Sequence, residues 1–212
     1  MATERPRLVI ATRSEHKLRE LGELLRLRRA ELLSLEDLGV PGEPVEDGLT
    51  FEANATIKAR FAASATHLPS LADDSGIEVD ALGGAPGVWT RRYAGPDATD
   101  ADNNAKLLAA LQGLPPAERG ARYVCVLALA LPGERVRGGG LPVTVRRGTC
   151  RGRIAPAPRG TGGFGYDPIF EPAREVPAGR TLGEYSVAEK HAISHRARAA
   201  GRMLPILRDL GF

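Results

Sequence analysis

The stretch LADDSGIEVDALGGAPGVWTRRYAG, residues 71–95, decides how this chain is read. Leu71 and Ala72 have the character of a short buried strand that is ending. Asp73, Asp74, Ser75 and Gly76 are then expected to turn the chain before Ile77 and Val79 resume an extended run. Two adjacent carboxylates thus stand where a strand ends. Side chains alternate across a strand, so only one of Asp73 and Asp74 can face a given cleft. An Asx turn closed by Ser75 would account for the same residues without any chemistry, and the rest of the chain has to decide between the two.

At 212 residues, with 42% hydrophobic and 26% charged residues, the chain has the composition of a soluble globular protein with room for a substantial core. No linker divides it, and residues 1–212 are taken as one domain. No stretch approaches the ~18 apolar residues of a membrane span. The apolar run after Arg7 is only four residues, too short for a signal-peptide core. No membrane association is expected, and a cytoplasmic location is. Cys125 and Cys150 lie far apart without CxxC spacing, so buried free thiols are expected rather than a metal or redox pair. Arginine outnumbers lysine 25 to 4, which makes Lys17, Lys58, Lys106 and Lys190 conspicuous. Some of these positions should need a compact ammonium that a planar guanidinium cannot replace.

Taken in order, residues 8–11 read as a buried first strand, and Thr12-Arg13-Ser14-Glu15 has the form of a capping box before a helix with Leu18, Leu21, Leu24 and Leu25 on one side. Free amides at such a helix start, with Lys17 in the first turn, suit a phosphate. A plain strand-to-helix turn with a solvated lysine fits as well. Residues 31–35 are a second candidate strand, and 36–48 an irregular acidic loop whose charges are mostly solvated. Thr50 opens a second helix, with Ile57, Phe61 and Leu68 on its apolar face and Asn54 and Lys58 beside it. A third helix spans 98–111, with Ala101, Ala105, Leu108 and Leu111 as its apolar side. Strands are expected at 123–131 and 143–145, paired antiparallel across a Gly- and Arg-rich connection.

Gly160, Gly162 and Gly165 have the spacing of a dinucleotide fingerprint, but Pro156, Pro158 and Pro168 leave no strand-turn-helix context for one. A glycine loop that presents Phe164, Tyr166 and Asp167 to a ligand is the functional alternative. Ser194 is expected to cap a last helix that begins with His195 and Arg196, with Pro205 kinking or ending it. His191 and His195 have the i, i+4 spacing of a metal pair, yet there is no HExxH form and no third ligand nearby.

With DDSG, DALGGAPGVW, RYAG, TGGFGYDPIF, an EK pair followed by SHR, and the TF…NA…KAR helix all in order, the chain closely resembles the inosine triphosphate pyrophosphatase (ITPase) family. The resemblance implies an α/β fold of the ITPase-like (Maf/Ham1) type: a long mixed central sheet flanked by helices, in two lobes with a cleft between them. It implies hydrolysis of a purine nucleoside triphosphate such as ITP, dITP or XTP to the monophosphate and pyrophosphate, with Mg2+ as cofactor, and a homodimer. It places Thr12, Arg13, Ser14, Glu15, His16 and Lys17 on the triphosphate, Asp74 and Lys58 in catalysis, Glu46 and Asp74 on the metal, and Ser75 on the substrate. Phe164, Gly165, Tyr166, Asp167, Lys190, His195 and Arg196 match nucleotide-binding positions. On this reading Asp73 and Asp74 cannot both be buried and charged without the metal.

The chain departs from the family pattern at two places. Thr12-Arg13-Ser14 stands where the family has Thr-Gly-Asn, so an amide is lost and a guanidinium gained near the triphosphate. Ala53 stands where an acidic residue is usual, which leaves that role to Glu52 or vacant. Two other readings are distinguishable. A Maf-type nucleotide pyrophosphatase would not require FGYDP or SHR. A nucleic-acid-binding protein would grip phosphates through the loop at 135–140, which lacks interleaved aromatics; no nucleic-acid partner is expected.

Overall fold

The computed structural model describes residues 5–133, 139–175 and 179–212. Two compact units are interleaved along the chain. The first comprises Met1–Asp74, Cys125–Gly148 and Arg198–Phe212, and the second Ser75–Val124 and Thr149–Ala197. A six-stranded sheet has the order β2-β1-β3-β4-β5-β6, formed by β1 (Arg7–Ile10), β2 (Glu31–Ser34), β3 (Ser70–Val79), β4 (Gly120–Ala130), β5 (Val143–Ile154) and β6 (Phe170–Pro172). β1 runs parallel to β2 and β3, whereas β5 and β6 are antiparallel, so the sheet is mixed. The helices are α1 (Glu15–Leu25), α2 (Phe51–Thr66), α3 (Asp100–Ala110), α4 (Val187–His191) and α5 (His195–Asp209).

In the first unit, Leu8 and Ile10 of β1, Leu21 and Leu25 of α1, Leu71 of β3, Leu127 and Leu129 of β4 and Met203 and Leu207 of α5 form one core. The second unit has its own, from Ile77, Val79, Leu107, Tyr123, Ile154, Phe170 and Leu182. Leu8, Val9 and Ile10 are all fully buried, as a parallel strand covered on both faces requires.

Several expectations give way. Asp73 to Gly76 do not turn the chain: β3 runs unbroken through them, and Ser75 closes no Asx turn. A strand can carry two charged residues through its buried interior when each finds a counter-charge, and both do. The cap of α1 is Ser14, two residues later than Thr12, with its hydroxyl accepting from the Lys17 amide at 3.4 Å. α2 buries Ala55, Ala59, Ala62 and Ala63, while Ile57 and Phe61 are only half-buried. α3 buries Asn103, Asn104 and Leu107 and leaves Ala101 and Ala105 exposed. Both asparagines are accommodated there by bonds to backbone: Asn103 donates to the Arg91 carbonyl and accepts from the Ala94 amide, and Asn104 donates to the Gly165 carbonyl.

β5 is far longer than the 143–145 segment expected. Pro205 lies inside α5 without ending it. The carbonyl that loses its partner there belongs to Gly201, one turn earlier. Residues 134–138, most of the Gly- and Arg-rich loop considered for nucleic acid, lie outside the described residues. Cys125 and Cys150 are buried thiols, as expected. Among the described residues no helix is long and apolar enough to cross a membrane.

Candidate active site

The chemistry-bearing side chains fall into two clusters, one in each unit. In the first unit, the alternation of β3 sends Asp73 and Asp74 in opposite directions, and each meets a lysine. Asp73, its side chain fully buried, has Oδ1 2.5 Å from Lys17 Nζ and accepts from the Cys125 thiol at 3.4 Å. Asp74 accepts from Lys58 Nζ at 2.7 Å, and Lys58 also donates to Glu46 Oε2 at 3.1 Å. Both carboxylates are buried, and each has an ammonium against it. Lys17 and Lys58 thus supply counter-charge to the pair.

Burial pushes the Asp74 carboxyl above its ordinary value, although Lys58 and Lys17 pull the other way. For Lys58, burial favours loss of the proton, but Asp74, Glu46 and Asp73 together outweigh it and hold the ammonium above its ordinary value. Lys58 is thus cationic at neutral pH, beside a carboxylate that is a stronger base than a solvated aspartate. α2 brings Lys58 to this position because its alanine face lets the helix pack closely, and the half-exposed flank carries the lysine stem.

The start of α1 is beside this cluster in sequence and structure. Thr12 Oγ1 accepts from the Ser14 amide at 3.2 Å, and Ser14 caps the helix, so both hydroxyls order the turn. Glu15 and His16 are exposed in the first turn, and Lys17 reaches Asp73. Arg13 does something else. Its guanidinium bonds to Glu36, to the Val40 and Gly42 carbonyls, and lies 3.4 Å from Glu43, all on the acidic loop. That loop is less solvated than expected: Glu36 and Glu43 meet Arg13, Glu46 meets Lys58, and Asp37 accepts from Ser34. Glu52, considered as a stand-in for the missing acid at position 53, pairs with Arg147 instead.

Glu46 and Asp74 already converge on a single positive charge. Their oxygen donors suit Mg2+, which takes one or two carboxylates and completes its shell with water and phosphate oxygens. Among the described residues no group of three or more His, Cys, Asp or Glu side chains could hold a metal ion. The pair therefore fits a cation that arrives with phosphates better than a closed protein site.

In the second unit, the loop before residue 170 folds as tight turns that only glycine permits at two positions. Gly160 has φ +73, and a Cβ there would fall 2.1 Å from the Gly183 carbonyl oxygen; Gly163 has φ +74, and its Cβ would meet the Asp167 carboxylate at 2.1 Å. This closeness lets Asp167 accept from the Phe164 amide at 2.9 Å and from Lys190 at 2.7 Å. Lys190 lies 4.5 Å from the centre of the Phe164 ring, and the Arg196 guanidinium 5.7 Å from it. Arg196 also donates to Ser75 Oγ at 2.9 Å. The half-buried Phe164 ring is thus framed by two cations.

His195 is buried and stacked on Tyr123, with centroids 4.5 Å apart and planes 6° from parallel. Burial, reinforced by Asp167, holds the Tyr123 hydroxyl protonated well above the usual range. Tyr166, expected to face a ligand, is instead buried, and its hydroxyl donates to the Thr90 carbonyl at 2.9 Å. Gly165 is held from both sides, its amide by Asp100 at 2.6 Å and its carbonyl by Asn104 at 3.0 Å.

Sequence reasoning missed Asp100, Asn104, Tyr123 and Cys125. The Asn103-Asn104 pair inside a helix was the one available signal, because asparagine is a poor helix former unless its side chain has a fixed partner. The other three are recognisable only once remote segments are brought together.

A model of the Ham1 family matches residues 8–206. The chain is 53% identical over 192 residues to the dITP/XTP pyrophosphatase of Syntrophobacter fumaroxidans, covering 91% of this chain and 78% of that one. It is 48% identical over 204 residues to the dITP/XTP pyrophosphatase of Yersinia pseudotuberculosis, covering 96% and 98%. Among solved structures, a Ham1 protein from Coxiella burnetii superposes with a TM-score of 0.83 at 42% identity, covering 96% of this chain and 99% of that one. Family model, relatives and fold agree, and the chain belongs to the Ham1 family.

Proposed function

We propose that this protein hydrolyses deaminated purine nucleoside triphosphates, ITP, dITP and XTP, to the nucleoside monophosphate and pyrophosphate. The observation that carries the reading is the buried Asp74 carboxylate held 2.7 Å from Lys58 Nζ, with Glu46 3.1 Å from the same ammonium. The names of the relatives at 53% and 48% identity support the substrate class. Water attacks the α-phosphorus, and Asp74 orients that water and takes up its proton. Lys58, Lys17 and the α1 amides offer positive charge to the phosphate oxygens as negative charge shifts onto the leaving pyrophosphate. Glu46 and Asp74 would hold Mg2+, whose chemistry when bound is to neutralise phosphate oxygens.

Recognition of the base is assigned to the second cluster. Phe164 offers a stacking face, while Arg196, Lys190 and His195 offer hydrogen-bond donors. A 6-keto purine has acceptors at O6 and N7, whereas adenine presents an amino donor at position 6. Donors held in place by Tyr123, Ser75 and Asp167 would be left unpaired against adenine, at ~1–3 kcal/mol each. One or two such mismatches correspond to discrimination on the order of tens- to thousands-fold in kcat/KM. Residues 1–212 would act as one functional domain, in the cytoplasm, as a homodimer without a nucleic-acid partner.

The test is incubation of the pure protein with ITP, XTP, GTP and ATP in Mg2+, with products separated by ion exchange. Monophosphate and pyrophosphate from ITP and XTP are expected. Orthophosphate and a diphosphate as the products, or ATP cleaved as readily as ITP, would overturn the proposal.

A further inference from the structure

We propose that Arg13 is a positioning residue, which clamps the acidic segment 36–48 and thereby places Glu46 beside Lys58 and Asp74. The inference rests on the reading above only in giving Glu46 a part in phosphate chemistry. Arg13 occupies the position where glycine is usual in the family it resembles, and a direct contact with the triphosphate was the natural expectation. Its guanidinium is already committed elsewhere. Nη1 donates to Glu36 Oε1 at 2.6 Å, Nη2 to the Val40 carbonyl at 2.9 Å and the Gly42 carbonyl at 2.6 Å, and Nε lies 3.4 Å from Glu43 Oε1. A planar fork with five N–H donors can serve four acceptors at once, which an ammonium on a flexible stem cannot hold in one geometry.

The segment needs such a clamp. Val45 is 79% exposed and Leu49 is 89% exposed, so the apolar residues nearest Glu46 do not anchor it, and the nearest buried apolar side chains are Val40 and Phe51. Between Val40 and Phe51 the anchors are polar and lie at the two ends of the segment. On one side is Arg13, at residues 36 to 43. On the other, the Gly48 amide donates to Asn54 Oδ1 at 2.8 Å, in a space where a Cβ at position 48 would come within 2.5 Å of that same oxygen. Glu46 is suspended between the two and delivers its carboxylate to Lys58. A single exposed ion pair would contribute little to this placement, but four contacts from one planar group restrain a whole turn of backbone. Because Arg13 immediately precedes the Ser14 cap of α1, the same residue ties the helix start to the loop that carries the acid.

Hydrogen exchange on the protein without nucleotide reads the clamp independently of turnover. In Arg13→Ala, exchange at Val40 and Gly48 should quicken on the order of tenfold, with residues 15–25 unchanged; Arg13→Lys should recover only part of the protection. For activity, kcat/KM for ITP should fall about tenfold in Arg13→Ala. In a Glu46→Gln background the same substitution should cost less than about twofold more, because the two residues act through one path. Unchanged exchange across 36–48 would overturn the proposal, as would an equal further loss in the Glu46→Gln background, which would mean that Arg13 meets the substrate itself. A protein that turns over no nucleotide but shows the quickened exchange would leave the clamp standing and remove the functional reading instead.

Discussion

The cluster in the first unit and the cluster in the second are built on the same device, a lysine ammonium on a buried aspartate, and put it to different use. Lys58 on Asp74 and Lys17 on Asp73 sit on helices and a strand, with hydrogen-bonding atoms directed at one another. Lys190 on Asp167 sits where a five-residue helix meets a glycine loop, and the pair braces an aromatic ring. In the proposed mechanism the charges of the first cluster are the reagents. In the second they are scaffolding for a flat apolar face. The contrast teaches why the chain kept lysine at these positions while using arginine almost everywhere else. A buried carboxylate with room for one donor takes a compact ammonium, whereas the exposed acidic loop, with acceptors spread over a turn, takes the fork of Arg13.

The sharpest way to break the comparison is Asp74→Asn. If the first cluster is chemical, kcat should fall on the order of 10²–10⁴-fold. The thermal midpoint should move little, because the ionised carboxylate is disfavoured by burial and the amide oxygen still accepts from Lys58. Near-normal turnover would transfer the catalytic role to Asp73. Next in size is Lys58→Met, which leaves Asp74 without its nearest counter-charge and should lower stability by about 3 kcal/mol in denaturant unfolding. Combining it with Asp74→Asn should recover much of that loss, whereas simple additivity would mean that the pair is not coupled.

In the second cluster the expected effects shift from kcat to KM. Lys190→Met removes a cation from the Phe164 ring and a bond from Asp167, so KM for ITP should rise about tenfold with a smaller change in kcat. A pure kcat effect would show that Lys190 takes part in the chemical step. The smallest effect concerns pH. Hydrogen bonds from the Ser186 amide and hydroxyl hold Glu189 down to about 2 from 4.5, and the pair caps the helix that carries Lys190. A depressed acid contributes stability above its unfolded value and loses it as pH falls through its folded one. Between about pH 4.5 and 2, wild type should therefore lose more stability than Glu189→Gln. Parallel curves would mean that the cap does not matter to the fold.

How much of this was legible in the sequence follows the same division. The lysines and aspartates of the first cluster sit on regular elements, so strand alternation separated Asp73 from Asp74, and helical spacing carried Lys58 to the flank of α2. What misled was local chemistry read without its partners. DDSG has the composition of a turn, yet it continues a strand once Lys17 and Lys58 neutralise the carboxylates. Ile57 and Phe61 look like a core face until alanines prove to be the closely packed side. In the second cluster the glycine loop itself was visible, but not the residues that hold it. Tyr123 reaches His195 from a strand 72 positions earlier in the chain, and Asp100 and Asn104 hold Gly165 from another helix. No periodicity reports such contacts. Arg13 shows the limit of analogy in turn: a departure at a loop expected to hold phosphate suggested a phosphate contact, and the side chain turned to the neighbouring loop.

The central claim is that water, placed by Asp74, attacks the α-phosphorus. Hydrolysis of ITP in water enriched in oxygen-18, followed by mass spectrometry of the separated products, tests it most directly. The account predicts one heavy oxygen in the inosine monophosphate and none in the pyrophosphate. Label in the pyrophosphate would place the attack on the β-phosphorus and contradict it.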